Sequence, residues 1–480
     1  MRQTRLAAVL ALALVNTLTL VAGVSVVFFL PGGGLAKPHL VERDPVGAQP
    51  VLRPSPAPED AAVPGSTSSS LVAGSFRKAT HATALGSRLS AMVVDPASGQ
   101  TLFRSRAGQP VAPASTAKIL TGTAALAALG PDARLATEVV WNPDTKTVTL
   151  VGGGDPTLAS PKAQHAYPEP AQIKDLVQET AVALRKAGVT KIRLHYDTSL
   201  FSGPVTARSW KPGYVPNGYV APVTALSVDS GRVEPVDPGT VHAGPTARVD
   251  DPPEAAATLF SSLLEDEGIT VKGDVAEQPA GKGTKRLAVV HSPTVAALVE
   301  QMLTDSDNDI AEALGRHVAL AVGKPPSFRG ATAAVEQVLA RLGVPVEAVR
   351  LYDCSGLSHR DRVTARALTR ALALAASPEH PDLRSVLTGL PVAGYSGTLF
   401  ERYGEAPAAD AAGAVRAKTG TLTGVSTLAG VAYRPDGRIL VFAFLADRVP
   451  PGGYAGAREA LDEMAAALAT ERSHRHTVDR

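Results

Sequence analysis

The sequence predicts an α+β fold, an antiparallel sheet with helices that is interrupted by an inserted β-rich domain. Three observations lead there. Strand-like segments stand at both ends of the folded region, helical segments lie between and after them, and a Gly- and Pro-rich stretch with short strands divides the two halves. At 480 residues the chain is too long for one core. Its net charge of +2, from 47 Lys and Arg against 45 Asp and Glu, gives no overall pull toward nucleic acid. With 45% hydrophobic and 4% aromatic residues, the cores must be built on small and aliphatic side chains. The single cysteine, Cys354, excludes an intrachain disulfide and a Cys-based zinc cluster, and reads as a small buried filler.

The first element falls before the fold. Arg2 and Arg5 precede residues 6–30, an uncharged run whose only polar side chains are Asn16, Thr17, Thr19 and Ser25. Such a run is long enough to cross a bilayer, and the preceding charges favour a cytoplasmic start with the rest outside. Residues 1–30 are therefore expected to be a membrane anchor or, with a poorer cleavage site, a signal peptide. Residues 31–80 hold eight prolines, at 31, 38, 45, 50, 54, 56, 58 and 64, then a serine-rich cluster, and read as a spacer. The charged residues 471–480 read as a flexible tail.

Alternation over residues 89–94, a turn at 95–99 and a return at 101–104 predict an opening β-hairpin. Pro113 and Ser115 then signal a helix start, with Ile119, Leu120, Thr123, Ala124, Ala127 and Ala128 as its inward stripe and Gly130 as its end. Residues 134–284 read as the insertion, with short strands near 137–141 and 147–151 and one amphipathic helix near 173–187. Helices resume at 293–303 and 309–322. Three strands follow at 415–421, 426–433 and 438–445, and a helix over 455–469 closes the chain. The segments 81–133 and 285–470 are thus expected to form one discontinuous domain, a sheet with a helical cluster on one side.

Three short motifs fall within that domain in order: Ser115-Thr116-Ala117-Lys118, Ser306-Asp307-Asn308 and Lys418-Thr419-Gly420. Singly each is weak, since a Ser-x-x-Lys or Ser-x-Asn pattern arises about once or twice by chance in such a chain. Read alone, Ser115, Ser306 and Asn308 could be helix caps, Lys118 and Lys418 solvated charges, and Gly420 a bend. Placement adds meaning: the first motif opens a helix, the second lies in a break between helices, and the third lies on a strand beside a hairpin. Residues three apart on a helix share a face, so Lys118 can bring its amine to the Ser115 hydroxyl. Serine needs an adjacent base to act as a nucleophile. Lysine serves as that base only if its pKa falls by about 3 units, roughly 4 kcal/mol, through burial or a second cation. Lys418 is the candidate second cation.

In these motifs the chain resembles the penicillin-recognising serine enzymes. Residues 150–156 (Leu-Val-Gly-Gly-Gly-Asp-Pro), 353–358 (Asp-Cys-Ser-Gly-Leu-Ser), 390–394 (Leu-Pro-Val-Ala-Gly) and 397–399 (Gly-Thr-Leu) narrow the resemblance. They are similar to the D-alanyl-D-alanine carboxypeptidase/endopeptidase group, low-molecular-mass penicillin-binding proteins with domains inserted between the first two motifs. The resemblance implies the penicillin-binding/β-lactamase-like transpeptidase fold over about residues 85–465. It implies hydrolysis of peptidoglycan stem peptides through an acyl-enzyme on Ser115, with Lys118 moving the serine proton. Ser306 and Asn308 would pass a proton to the leaving amine and orient substrate, and Lys418 and Thr419 would hold the terminal carboxylate. Gly420 would admit the backbone, Ser115 and Thr421 N–H would form the oxyanion hole, and Asp155 would recognise a side-chain amine. It further implies β-lactams as covalent inhibitors, and no metal, cofactor or nucleic acid.

The chain departs from the larger members in a shorter interval from Ser115 to Asp155 and in His359 where an arginine is common. His359 by itself reads as an exposed loop residue. A class A β-lactamase would need a glutamate near residues 339–345, where none occurs. A wall-binding scaffold without turnover would not need every motif residue.

Overall fold

In a computed structural model, residues 82–163, 167–235 and 245–470 are described. The expected anchor or signal, the spacer to Thr80 and the charged tail lie outside them. No helix among the described residues is long and apolar enough to cross a membrane.

The opening hairpin forms from β1 (Leu89–Val94) and β2 (Thr101–Ser105), with Asp95 Oδ1 accepting the turn N–H groups of Ala97 and Ser98. The remote strands β9 (Val415–Leu422), β10 (Val425–Tyr433) and β11 (Ile439–Ala446) join it. The five-stranded sheet has the order β2-β1-β11-β10-β9 and every neighbour is antiparallel. Alternation along β11 explains its burial. Val441, Ala443 and Leu445 enter one core, while Leu440, Phe442 and Phe444 enter the other.

The first core is the helical cluster: α1 (Ala117–Leu129), with α4 (Val295–Thr304), α5 (Asn308–Ala321), α6 (Phe328–Arg341) and α7 (Ala365–Ala376) around it. The short α8 (Ser385–Thr388) adds Val386 and Leu387. The second core lies under α9 (Tyr454–Thr470). Helices therefore cover both faces of the sheet, not one, because its central strands are apolar on both sides. Likewise α1 has no single stripe. Every residue from Ala117 to Leu126 is buried and Ala127 is exposed, as befits a helix packed on all sides.

The inserted region builds a second sheet from β3 (Arg134–Asn142), β4 (Thr147–Val151), β5 (Lys191–Asp197), β6 (Thr270–Val271) and β8 (Lys285–Thr294), ordered β6-β5-β4-β3-β8, with β7 (Ala276–Glu277) also on β5. It is mixed, since β4 and β5 run parallel through the crossover helix α2 (Ile173–Lys186). A second helix, α3 (Pro252–Asp266), packs beside α2, where the sequence reading expected only one. Its start carries plain signals: Asp251 accepts the Glu254 N–H at 2.9 Å and Pro252 opens the first turn. Strand β8 pairs with β3, so the second sheet runs to Thr294, ten residues past the expected boundary at 284.

Candidate active site

Ser115 lies in a single 3-10 turn, Ala114–Thr116, immediately before α1 rather than inside it. It does not cap the helix, and the Thr116 hydroxyl instead returns to the Pro113 carbonyl at 2.7 Å. Ala114, just before the serine, holds a left-handed φ of 48°, a conformation costly for a residue with a side chain. Three contacts hold that turn. Thr427 Oγ1 on β10 donates to the Pro113 carbonyl at 2.8 Å. A Cβ on Gly356 would lie 2.0 Å from the Ala114 carbonyl oxygen, and one on Gly420 would lie 2.8 Å from that of Pro113. The glycine of the third motif is thus required by its approach to the serine turn.

One helical turn on, Lys118 is fully buried, and its Nζ reaches Ser115 Oγ at 3.1 Å, Asn308 Oδ1 at 2.6 Å and the Ser355 carbonyl at 2.7 Å. Asn308 Nδ2 donates to the Tyr219 carbonyl at 2.9 Å, which fixes the amide with its oxygen toward the lysine. The last two partners of Lys118 are acceptors only. A neutral amine must give them its two hydrogens, leaving its lone pair to face the Ser115 hydroxyl. Burial lowers the Lys118 pKa to about 8, against the opposing pull of Asp353, Asp307, Glu312 and Asp309. Burial, rather than the expected second cation, is therefore the largest cause. The repulsion between the amines falls on Lys418 instead: burial first and the Lys118 charge second hold it well below its usual value.

Ser306 sits in the break between α4 and α5 with a left-handed φ of 61°, and Asp307 N–H closes that turn on the Met302 carbonyl at 3.1 Å. The helix cap is Asp307, whose Oδ1 accepts the Ile310 N–H at 2.9 Å. Ser306 is thereby released from capping, and its hydroxyl makes no hydrogen bond to the described residues.

Strand β9 is the sheet edge. Ala393 N–H to the Val415 carbonyl and Ala417 N–H to the Pro391 carbonyl, both 2.9 Å, cover its first part. Among the described residues no strand covers the rest. Alternation turns Thr419 and Thr421 N–H toward that same open side, while Lys418 and Gly420 face β10 at Ala429 and Thr427. Lys418 Nζ donates to the Thr419 carbonyl at 3.0 Å and Thr419 Oγ1 to Thr398 Oγ1 at 2.8 Å.

Asp155 is buried and makes no hydrogen bond to the three motifs. Its Oδ1 accepts Thr157 N–H at 2.8 Å and Thr157 Oγ1 at 2.6 Å, while Oδ2 is buried without a partner among the described residues. Burial raises its pKa to about 6. The glycines before it serve packing, since a Cβ on Gly153 would lie 1.8 Å from the Ala136 carbonyl oxygen. His359 is half-buried, and burial followed by Lys211 and Arg362 lowers its pKa.

Several residues support the site although the sequence assigned none of them a role. Asp353 accepts Gly356 N–H, Ser358 N–H and Trp210 Nε1–H, each at 2.7 Å, and so ties the inserted region to the loop beside Lys118. Arg248 pairs with Asp309 at 2.9 Å and Arg232 with Asp307 at 3.5 Å, one on either side of Asn308. Glu312 could have been found, because it stands four residues after Asn308 on one helix face.

A half-buried serine, a neutralisable lysine against it and an open strand edge opposite define a serine acyl-transfer hydrolase. The comparisons make the class particular. Residues 73–243 and 236–470 match the D-Ala-D-Ala carboxypeptidase 3 (S13) family, and the chain belongs to it. A carboxypeptidase of Mycobacterium tuberculosis is 40% identical over 387 residues, covering 79% of this chain and 80% of its own. Carboxypeptidase DacB of Mycolicibacterium smegmatis is 38% identical over 383 residues, 78% of this chain and 79% of its own. In fold the chain is similar to penicillin binding protein 4 of Haemophilus influenzae, with a TM-score of 0.65 at 23% identity over 83% of this chain and 98% of that one. The protein is a serine-type D-Ala-D-Ala carboxypeptidase that acts outside the cytoplasm.

Proposed function

We propose that Ser115 is the nucleophile and Lys118 its base in the removal of the terminal D-alanine from peptidoglycan stem peptides. The observation that carries this reading is the 3.1 Å approach of Lys118 Nζ to Ser115 Oγ, with acceptors occupying its other hydrogens. Ser115 Oγ attacks the carbonyl carbon of the penultimate D-alanine as its proton passes to Lys118. The C–N bond breaks, the proton reaches the leaving amine through the Ser306 hydroxyl, and free D-alanine departs. Water then attacks the ester, giving its proton to Lys118, which returns a proton to Ser115 Oγ as the ester C–O bond breaks and the shortened peptide leaves as its carboxylic acid. Proton transfer of this kind contributes about 10²–10⁴-fold.

The open edge of β9 supports the remaining roles. Ser115 and Thr421 N–H stabilise the oxyanion, a donor pair whose members are typically worth about 3–4 kcal/mol each. Lys418 and Thr419 hold the terminal carboxylate, and Asn308 orients both Lys118 and the substrate. Asp155 Oδ2, buried and without a hydrogen-bond partner among the described residues, takes an ammonium group of the stem peptide. β-Lactams acylate Ser115 as mimics of the scissile amide. The apolar residues 6–30 tether the enzyme at the outer face of the membrane, and the proline-rich spacer lifts it toward the wall.

Labelling by a fluorescent penicillin tests the nucleophile: the parent labels and Ser115→Ala does not, and equal labelling of the two refutes the assignment. Mass spectrometry of cross-linked wall fragments after incubation reads whether the same serine also cuts cross-links as an endopeptidase.

A further inference from the structure

One acceptor of the Lys118 amine, the Ser355 carbonyl, belongs to none of the three motifs. The side chain that holds it has no role so far. Glu312 on α5 is fully buried, and its Oε1 accepts the N–H of Cys354 at 3.0 Å and of Ser355 at 2.9 Å. One oxygen atom therefore fixes two consecutive peptide groups. From the other side Thr121, one turn beyond Lys118 on α1, donates its hydroxyl to the Cys354 carbonyl at 2.6 Å. Helix α5 itself comes so near this loop that a Cβ on Gly315 would lie 2.3 Å from Cys354 Sγ. The loop is thus gripped by two helices, and the Ser355 carbonyl is delivered to Lys118 Nζ at 2.7 Å.

We propose that Glu312 is a positioning residue for the base: by holding the Cys354 and Ser355 N–H groups it aims the Ser355 carbonyl at Lys118 and keeps the amine lone pair on the Ser115 hydroxyl. The inference rests on the reading of Lys118 as base.

Electrostatics give this role a signature that packing alone would lack. Lys118 is faced by Asp353 from the loop, by Asp307, Asp309 and Glu312 from the start of α5, and by Lys418 from β9. Glu312 is faced by Asp353, Cys354 and Asp361 from the loop, by Arg316 from its own helix and by Lys118. Its Oε2 is buried with no hydrogen bond to the described residues. Burial and the Asp353 charge raise the Glu312 pKa to about 8, so the group is neutral below that pH. As pH rises Glu312 gains its charge while Lys118 loses its own, and an ionised Glu312 raises Lys118. The two titrations oppose each other and stretch the alkaline rise of acylation toward higher pH. Glutamine at this position keeps an oxygen for the two N–H groups and cannot ionise.

The test is the rate of acylation of the full-length protein by a fluorescent penicillin, across about pH 6 to pH 10. Glu312→Ala is expected to acylate on the order of 100-fold more slowly, with half-saturation by the penicillin little changed. Glu312→Gln is expected to recover most of that loss, and its alkaline limb to lie below the parent's by several tenths of a pH unit. Acylation of Glu312→Ala within about threefold of the parent overturns the inference, and so does an unmoved or raised limb in Glu312→Gln. If circular dichroism shows Glu312→Ala unfolded, the limb of Glu312→Gln decides alone. Lys118→Met separates the two readings: labelling at the parent's rate refutes Lys118 as base. A silent Lys118→Met beside parent-like Glu312 variants refutes only Glu312.

Discussion

The amine of Lys118 and the amide oxygen of Asn308 lie 2.6 Å apart although 190 residues separate them in the chain. Between them is the whole inserted region, and that region returns to hold the asparagine through the Tyr219 carbonyl. The second motif therefore fixes the position of the Lys118 amine. Asn308→Ala removes an acceptor from a buried amine and should slow acylation by about 10²-fold. Asn308→Asp should move the alkaline rise of acylation to higher pH than in the parent, because an added anion raises the Lys118 pKa. Acylation rates of both variants across pH check this, and a midpoint that falls in Asn308→Asp refutes it.

Lys418 should take up a proton when substrate binds. Burial and the Lys118 charge hold it well below its ordinary value, and a carboxylate arriving beside it reverses that pressure. Calorimetric titration with a D-Ala-D-Ala peptide, in two buffers of different ionisation enthalpy, should show net proton uptake at neutral to alkaline pH. Uptake should vanish in Lys418→Met. No uptake by the parent counts against carboxylate capture by Lys418.

Gly420→Ala should lose acylation even though alanine is small. The added Cβ would lie 2.2 Å from Thr427 Oγ1, 2.8 Å from the Pro113 carbonyl oxygen and 3.0 Å from Ala114 Cβ. Thr427 can rotate only by giving up its bond to Pro113, and the other neighbours belong to the serine turn. Overpacking of this kind costs about 1–3 kcal/mol, so a lowered melting temperature should accompany at least tenfold slower labelling.

The parts of the fold readable from sequence were those written locally. The hairpin around Asp95 and the strands β9 to β11 carry alternation and turn residues within about a dozen positions. The mixed order of the second sheet is not local, since β8 pairs with β3 across the full insertion. Helix α3 was signalled by Asp251 and Pro252 and still missed, because the surrounding Gly and Pro masked its period. At the site the motif residues were legible as side-chain types. The roles of their supports were not, even where the segment 353–358 stood out: Tyr219 and Ser355 act through backbone carbonyls, which no residue type announces. Arg248 and Asp309 form a buried pair joining segments that nothing in the sequence brings together.

That pair yields a stability prediction. Arg248 and Asp309 are 5% and 7% exposed, so removing the guanidinium leaves a carboxylate in the interior. Arg248→Met should destabilise by about 3–5 kcal/mol, measured by denaturant unfolding. Asp309 Oδ1 also anchors the Ala221 N–H at 2.7 Å, close to the Tyr219 carbonyl that holds Asn308. Labelling should therefore fall even at temperatures where Arg248→Met remains folded. Parent-like labelling by the folded variant would show that this clamp is purely structural.

Asp155 presents the opposite case, a buried carboxyl that weakens the fold once it ionises. Its folded pKa is about 6 against 3.8 for a free side chain, so its contribution is complete below pH 3.8 and is lost as pH rises through 6. Relative to Asp155→Asn, the parent should lose up to about 3 kcal/mol of stability between pH 4 and pH 7. An ammonium group bound at Oδ2 would offset that loss and favour the ionised form. Carboxypeptidase assays should accordingly show Asp155→Asn impaired on stem peptides with a free side-chain amine, by about 10-fold or more in kcat/KM. The same peptides acetylated at that amine should be cleaved alike by parent and variant. Equal losses on both substrates would assign Asp155 to the architecture of its glycine-rich turn and leave amine recognition to other residues.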